Sequence, residues 1–155
     1  EPEVLINGDH SIETCDKVTR ETLKCLFDEL MSINIYYPGV ILKPSMVISG
    51  DKNSKRANYE TVAEKTVNCL KDMCPKDLGG IAFLSGGQSN DEATNHLRIM
   101  NSGDFGLPWR VTFSYARAIQ QSALNKWSGK DENHDEAQAI LSERAKKCSD
   151  ASIGN

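Results

Sequence analysis

Alternation of short apolar runs with longer amphipathic stretches is the feature of this chain that most restricts its fold. Four β-like runs occupy residues 1–5, 40–43, 79–84 and 109–114, and a stretch of helical periodicity follows each of them. After the Asn7-Gly8-Asp9 turn, Ile12, Cys15, Val18, Thr22, Leu26 and Leu30 recur at three- to four-residue spacing, which predicts a helix of roughly twenty residues. Beyond the polar loop at 50–57, Tyr59, Val62, Ala63, Val67, Leu70 and Met73 repeat the pattern until Cys74-Pro75 closes it. Ser89 and Glu92 have the spacing of a capping box ahead of Ala93, Leu97 and Met100. The fourth run leads into Ile119, Ala123, Leu124 and Trp127. A last helix is expected over about 131–147, with Ala137, Ile140, Leu141 and Ala145 inward and nothing packed after Cys148.

Strands that alternate with helices imply right-handed crossovers and a parallel sheet covered by helices, the α/β class. Four such units make either a small open sheet or half of a (β/α)8 TIM barrel, which typically needs about 250 residues. Because the chain opens on a strand-like run at Glu1, with nothing before it to finish a sheet edge, the expectation is a piece of the larger barrel. No linker composition divides residues 1–155, which therefore read as part of one domain.

Composition narrows the partners. The 39% apolar and 26% charged content of the 155 residues is that of a soluble globular protein. Its 22 acidic and 18 basic side chains leave a net charge of −4, without a Lys/Arg block, so nothing points to nucleic acid or to an anionic membrane. No apolar stretch approaches the roughly 20 residues that span a bilayer. Five cysteines, an odd number with no C-x-x-C pair, fit reduced thiols in a cytoplasmic compartment better than a disulfide framework. Any organelle-targeting segment would lie upstream of Glu1.

In parallel α/β folds ligands bind at the C-terminal ends of the strands, and the polar residues of this chain fall there. Lys43 interrupts the apolar run "VILKPSMV". It reads either as a lysine whose stem packs while its ammonium reaches water, or as a nucleophile kept partly neutral by poor solvation or a neighbouring cation such as Arg117. Ser85, Gly86 and Gly87 read either as a plain strand-to-helix turn or as a cradle whose backbone N–H groups approach a phosphate. Arg117, in the run Ser114-Tyr115-Ala116-Arg117, is either a solvated first-turn residue or a fork onto the same phosphate. Glu1 and Glu3 share one face of the first run, as solvated carboxylates or as proton carriers beside the lysine. His10, His96 and His134 have no ligand-like spacing, so no metal site is expected.

The runs "EPEVL", "GDH", "ILKPSMV", "IAFLSGGQSNDEATNHL" and "WRVTFSYARAIQQSALNKWSGK" closely resemble the class I fructose-bisphosphate aldolases, from Glu1 to about Lys130. The resemblance is to the last four βα units of that family's barrel. It implies metal-independent, cofactor-free, reversible cleavage of fructose 1,6-bisphosphate to dihydroxyacetone phosphate and glyceraldehyde 3-phosphate, in glycolysis and gluconeogenesis. It assigns Lys43 as the Schiff-base nucleophile and Glu1 as general acid/base, with Glu3 and Ala116 in supporting places. Ser85, Gly86, Gly87, Ser114 and Arg117 become contacts to a substrate phosphate. Ser45 stands where the family pattern leads one to expect Asn, which would loosen hydrogen bonding near the lysine. The resemblance further implies a homotetramer and a need for the N-terminal half of the barrel, without which this chain is expected to be inactive. The alternative is a non-catalytic, aldolase-like fragment that serves assembly or partner binding.

Overall fold

Five helices and three short parallel strands carry these periodicities in a computed structural model that describes residues 1–155. The helices are α1 (Ile12–Ser32), α2 (Tyr59–Met73), α3 (Asn90–Ser102), α4 (Arg117–Trp127) and α5 (His134–Ala151). The strands β1 (Ile41–Leu42), β2 (Gly80–Phe83) and β3 (Val111–Phe113) lie side by side in that order, all parallel. Their register sets Leu42 opposite Ile81 and Ile81 opposite Val111. No helix is long and apolar enough to cross a membrane.

Because successive side chains of a strand point to opposite faces, the register sorts the sheet into a covered and an uncovered side. Leu42, Ile81, Phe83 and Val111 are at most 3% exposed and pack under the helices. Ile41, on the other side with Lys43, Ala82 and Thr112, is 61% exposed. Parallel sheets are normally buried on both faces, whereas the face of Ile41, Lys43 and Thr112 is largely open here.

The first run departs from expectation: residues 1–5 lie beside the end of β1 but form no strand. Pro2 has no N–H to give, and the Val4 N–H is taken by the Ser45 hydroxyl at 2.9 Å rather than by a ladder carbonyl. One backbone bond joins the two segments, from the Ser45 N–H to the Pro2 carbonyl at 3.3 Å. The run is held from behind instead, where the Ile6, Gly8 and His10 carbonyls accept the N–H groups of Asp51, Lys52 and Gly50 at 2.8–2.9 Å.

Two helix faces are also rotated from those the apolar spacing suggests. In α1 the buried positions are Ile12, Cys15, Thr19, Leu23 and Phe27, while Val18 is 39% exposed. The apolar pattern admits two stripes one residue apart, and packing favours the one that buries Phe27, edge-on to Tyr37 with ring centres 6.1 Å apart. In α5 the buried stripe is Ala137, Arg144, Cys148 and Ala151, so Leu141 and Ala145 face outward and packing continues past Cys148. A buried arginine gives the periodicity nothing to register. The third helix buries the expected Ala93, Leu97 and Met100, with Ser89 and Glu92 in the reciprocal capping box, and the second buries Val62, Ala63, Val67 and Leu70 while Tyr59 is 39% exposed and Met73 half-buried.

The rotated face of α1 makes a prediction. Leu23→Ala should cost about 3 kcal/mol of stability in urea unfolding, as a fully buried leucine does, and Val18→Ala less than about 0.5 kcal/mol. Equal costs would place the helix in the other register.

Candidate active site

Backbone pairing past the strand ends brings the polar residues level. The Leu84 N–H donates to the Pro44 carbonyl at 3.1 Å, and the Ser114 N–H to the Phe83 carbonyl at 2.8 Å. Lys43, Ser85 and Ser114 therefore stand at one edge of the sheet, where the following loops can add side chains. The first run crosses that edge and contributes Glu1 and Glu3.

Lys43 Nζ donates a hydrogen bond to Glu1 Oε1. That bond first, and the ammonium charge second, hold the Glu1 carboxyl below its usual range, so it is ionised at neutral pH. Of the neighbours expected for Lys43, a carboxylate of the first run or a cation such as Arg117, the one hydrogen-bonded to it is Glu1, on the run that Ser45 anchors beside the strand end. Lys43 is partly screened from water, its side chain 28% exposed against 64% for Glu1. Ser45, at 6% exposure, gives this corner one side-chain hydrogen bond, accepted from the Val4 N–H.

The turn after β2 forms the second half of the site. Gly86 and Gly87 adopt φ of +55° and +82°, the left-handed region that glycine enters without steric cost. A Cβ on Gly86 would lie 3.0 Å from Leu84 Cδ1 and 3.6 Å from Glu3 Oε1. One on Gly87 would lie 3.1 Å from Ile6 Cγ2 and 3.8 Å from Arg117 Nη2. The turn is thus flanked by Glu3 on one side and by the Arg117 guanidinium on the other, and the N–H groups of both glycines make no hydrogen bond within the chain. Ser114, Ala116 and Arg117 are exposed at the end of β3, whereas Ser85 is buried at 5% exposure.

Behind this turn lies a buried polar relay that the sequence pattern did not single out. The Ser85 carbonyl accepts both the Gln88 backbone N–H, at 3.0 Å, and Gln88 Nε2, at 3.1 Å. With its amide nitrogen so used, Gln88 presents Oε1 to His96 Nδ1 at 2.6 Å, which assigns the proton to Nδ1. His96 is 2% exposed and sits edge-on to Tyr59 at 5.1 Å. Burial pushes the His96 imidazole down to about 4, against a smaller opposing pull from Glu92. Burial alone would raise the Glu92 carboxyl. The Ser89 N–H and Arg56, 2.5 Å away, outweigh it and hold Glu92 below its usual range. Gln88 and His96 lie inside the quoted "SGGQSNDEATNHL" run, and their separation of eight positions, across the start of α3, is the only sequence signal of their contact.

A second concavity lies elsewhere, a groove of about 450 Å³ between α4 and α5 lined by Tyr115, Ile119, Ala123, Leu124, Trp127 and Leu141. It is apolar and lacks the paired ionic groups of the strand-end site. No cluster of three or more His, Cys, Asp or Glu side chains has the geometry to hold a metal ion.

Over residues 1–155 the chain matches the family described as fructose-bisphosphate aldolase class-I. It is 51% identical over 156 residues to a probable fructose-bisphosphate aldolase class 1 of Xanthomonas campestris pv. campestris, a match covering 99% of this chain and 46% of the relative. To fructose-bisphosphate aldolase 2 of Caenorhabditis elegans it is 44% identical over 154 residues, covering 99% of this chain and 42% of the relative. The cytoplasmic isozyme of Spinacia oleracea is 42% identical over 99% of this chain and 43% of its own length. Among solved structures, the aldolase of Plasmodium falciparum in complex with TRAP and a small molecule inhibitor superposes with a TM-score of 0.93 at 42% identity, covering 99% of this chain and 44% of that one. The chain spans less than half the length of these relatives.

The His96 relay predicts a pH dependence. An imidazole lowered from 6.5 to about 4 binds its proton more readily in the unfolded chain, so the stability it contributes is present above pH 6.5 and is lost as pH falls towards 4. The loss is roughly 3 kcal/mol at most. Replacing His96 by Asn, a donor that does not titrate, should remove this part of the slope in thermal unfolding followed from pH 7 to pH 4. Parallel profiles for parent and variant would count against it.

Proposed function

The chain belongs to the class-I fructose-bisphosphate aldolase family, and from that premise we propose that it supplies the Schiff-base half of an enzyme that reversibly cleaves fructose 1,6-bisphosphate. The products are dihydroxyacetone phosphate and glyceraldehyde 3-phosphate, in glycolysis and gluconeogenesis. The observation that carries this reading is the Lys43–Glu1 pair at the end of β1, level with a glycine turn that Arg117 flanks.

The chemistry follows from those groups. Before Lys43 can attack the substrate ketone its ammonium must lose a proton, and the Glu1 carboxylate already accepts a hydrogen bond from it. The neutral amine adds to the carbonyl carbon, and Glu1 returns the proton to the carbinolamine hydroxyl as water leaves, giving the iminium. The hydroxyl on the departing carbon gives its proton to a general base as its oxygen becomes the aldehyde carbonyl, and the electron pair of the broken carbon–carbon bond moves into the iminium to form an enamine, a task for which a Lewis acid would otherwise be needed. The aldehyde product departs, the enamine carbon is protonated, and hydrolysis frees Lys43 and the ketone product. The free glycine N–H groups and the Arg117 fork suit the ketone-side phosphate. The exposed Ser114 hydroxyl and backbone donors near Ser85 add to them, with the Glu3 carboxylate bordering the Gly86 side of the turn.

The same reading extends to the assembly. The three parallel strands and the bare sheet face carrying Ile41 suit a (β/α)8 barrel of which residues 1–155 form the C-terminal part of a single domain. The N-terminal half would cover that face and supply groups for the aldehyde end of the sugar phosphate. A homotetramer without cofactor, in the cytoplasm, completes the proposal. The cytosolic and cytoplasmic designations of the Arabidopsis thaliana and spinach relatives support that location.

Borohydride trapping tests the core of it. With dihydroxyacetone phosphate and the full-length enzyme, reduction should leave a covalent adduct on the peptide carrying Lys43, and an adduct elsewhere or none overturns the assignment. Lys43→Met should lower cleavage at least about a thousandfold. Arg117→Ala should raise KM for the bisphosphate about tenfold or more, with a smaller change in kcat, and an unchanged KM would remove Arg117 from the phosphate site.

A further inference from the structure

Arg144 is a buried cation satisfied without a carboxylate. It projects from the middle of α5 at 6% exposure, and its hydrogen-bond partners belong to three helices. Nε donates to the Ala118 carbonyl at 3.1 Å, and Nη2 to the Asn90 carbonyl at 3.0 Å and to Thr94 Oγ1 at 2.9 Å. A longer contact of 3.9 Å reaches Cys148 Sγ on its own helix. Removing a guanidinium from water is costly, and carbonyls return less than a carboxylate would, so a position that keeps one in this way is constrained by geometry.

The partners say what the geometry is for. Asn90 is the first residue of α3, which begins just after the Gly86-Gly87 turn, and Ala118 is the second residue of α4, next to Arg117. The two parts of the anion cradle come from different βα units, so their separation is set by how the first turns of α3 and α4 stand to one another. A planar fork with fixed donor directions is the side chain suited to hold two carbonyls at a set spacing, and a flexible ammonium is not. Asn90 Nδ2 to Ser122 Oγ, at 2.8 Å, joins the same two helices, and Tyr115 OH, just ahead of α4, donates to the Ala93 carbonyl of α3 at 2.8 Å in a buried bond.

We propose that Arg144 is a positioning residue for the anion cradle: it spans the first turns of α3 and α4 and thereby sets the distance between Gly87 and Arg117. It touches no substrate and acts through Arg117. The inference rests on the reading of that cradle as the phosphate site.

The test uses Arg144→Met, Arg144→Gln and Arg144→Lys in the full-length enzyme, each also combined with Arg117→Ala. KM and kcat for the bisphosphate, competitive inhibition by inorganic phosphate, and Tm are read for each. Arg144→Met should raise both KM and the phosphate inhibition constant about tenfold while kcat stays within about threefold, since a misplaced binding group weakens positioning before chemistry. Arg144→Gln, which keeps a planar donor, should recover more of the affinity than Arg144→Lys. In the Arg117→Ala background the Arg144 substitutions should have little further effect on either constant, because displacing a group that is absent costs nothing. A lowered Tm with unchanged KM and phosphate inhibition, or effects that multiply with those of Arg117→Ala, overturns the inference. If Arg144→Met does not yield folded protein, the Gln and Lys variants carry the same comparison. Should Arg117→Ala leave both constants unchanged, the phosphate reading of the cradle fails and this inference with it. Should Arg117→Ala weaken both while the Arg144 variants do not, only this inference fails.

Discussion

Parallel register is the constraint on which the rest of this structure depends. Strands that run the same way end on the same side, and pairing continues beyond them, from the Leu84 N–H to the Pro44 carbonyl and from the Ser114 N–H to the Phe83 carbonyl. Residues some 40 and 30 positions apart in sequence, Lys43, Ser85 and Ser114, thereby come to one edge. Side-chain alternation does the remaining sorting: a shift of one residue in β1 would turn Lys43 toward the helices and Leu42 toward the open face.

What surrounds that edge is polar structure held dry. Ser45 anchors the first run through the Val4 N–H, Gln88 and His96 brace the Ser85 carbonyl, and Arg144 joins the starts of two helices. Each of these groups would be costly to bury without its partner, and each has one. A buried network with complete partners admits one arrangement rather than several, which suits a site whose donors must wait in place for an anion. The cost is sensitivity: removing one member leaves the other unsatisfied, and the change is felt at the turn rather than at the mutated position alone.

The asymmetry of the sheet has the opposite character. On the helix side, Leu42, Ile81, Phe83 and Val111 are sealed, and on the other Ile41 is largely exposed beside the charged pair. An apolar residue and an ion pair on one bare face are poorly matched to bulk water but suited to the interior of a closed barrel, where a lower dielectric strengthens each charge interaction. The proposed barrel thus gives that face its environment, and relatives more than twice as long as this chain contain the chain length to do so.

The sequence by itself determined the order of strands and helices, the capping box at Ser89, the placement of Lys43, Gly86, Gly87 and Arg117 at strand ends, and through its motifs the family. These are local properties: periodicity, turn chemistry and spacing act within a few residues, and they are legible wherever they occur. Tertiary structure alone decided which of two stripes α1 buries, that residues 1–5 lie against Ser45 instead of joining the sheet, that Glu1 is the neighbour bonded to Lys43, and that Gln88, His96 and Arg144 support the turn from behind. Most of these outcomes depend on a partner distant along the chain, as with Arg144 and Asn90, 54 residues apart, and the nearer Gln88–His96 contact depends on the turn that brings them together. A charged or polar residue within an amphipathic repeat is written as surface by every local rule, and only the carbonyls that meet it in the folded chain make its burial affordable.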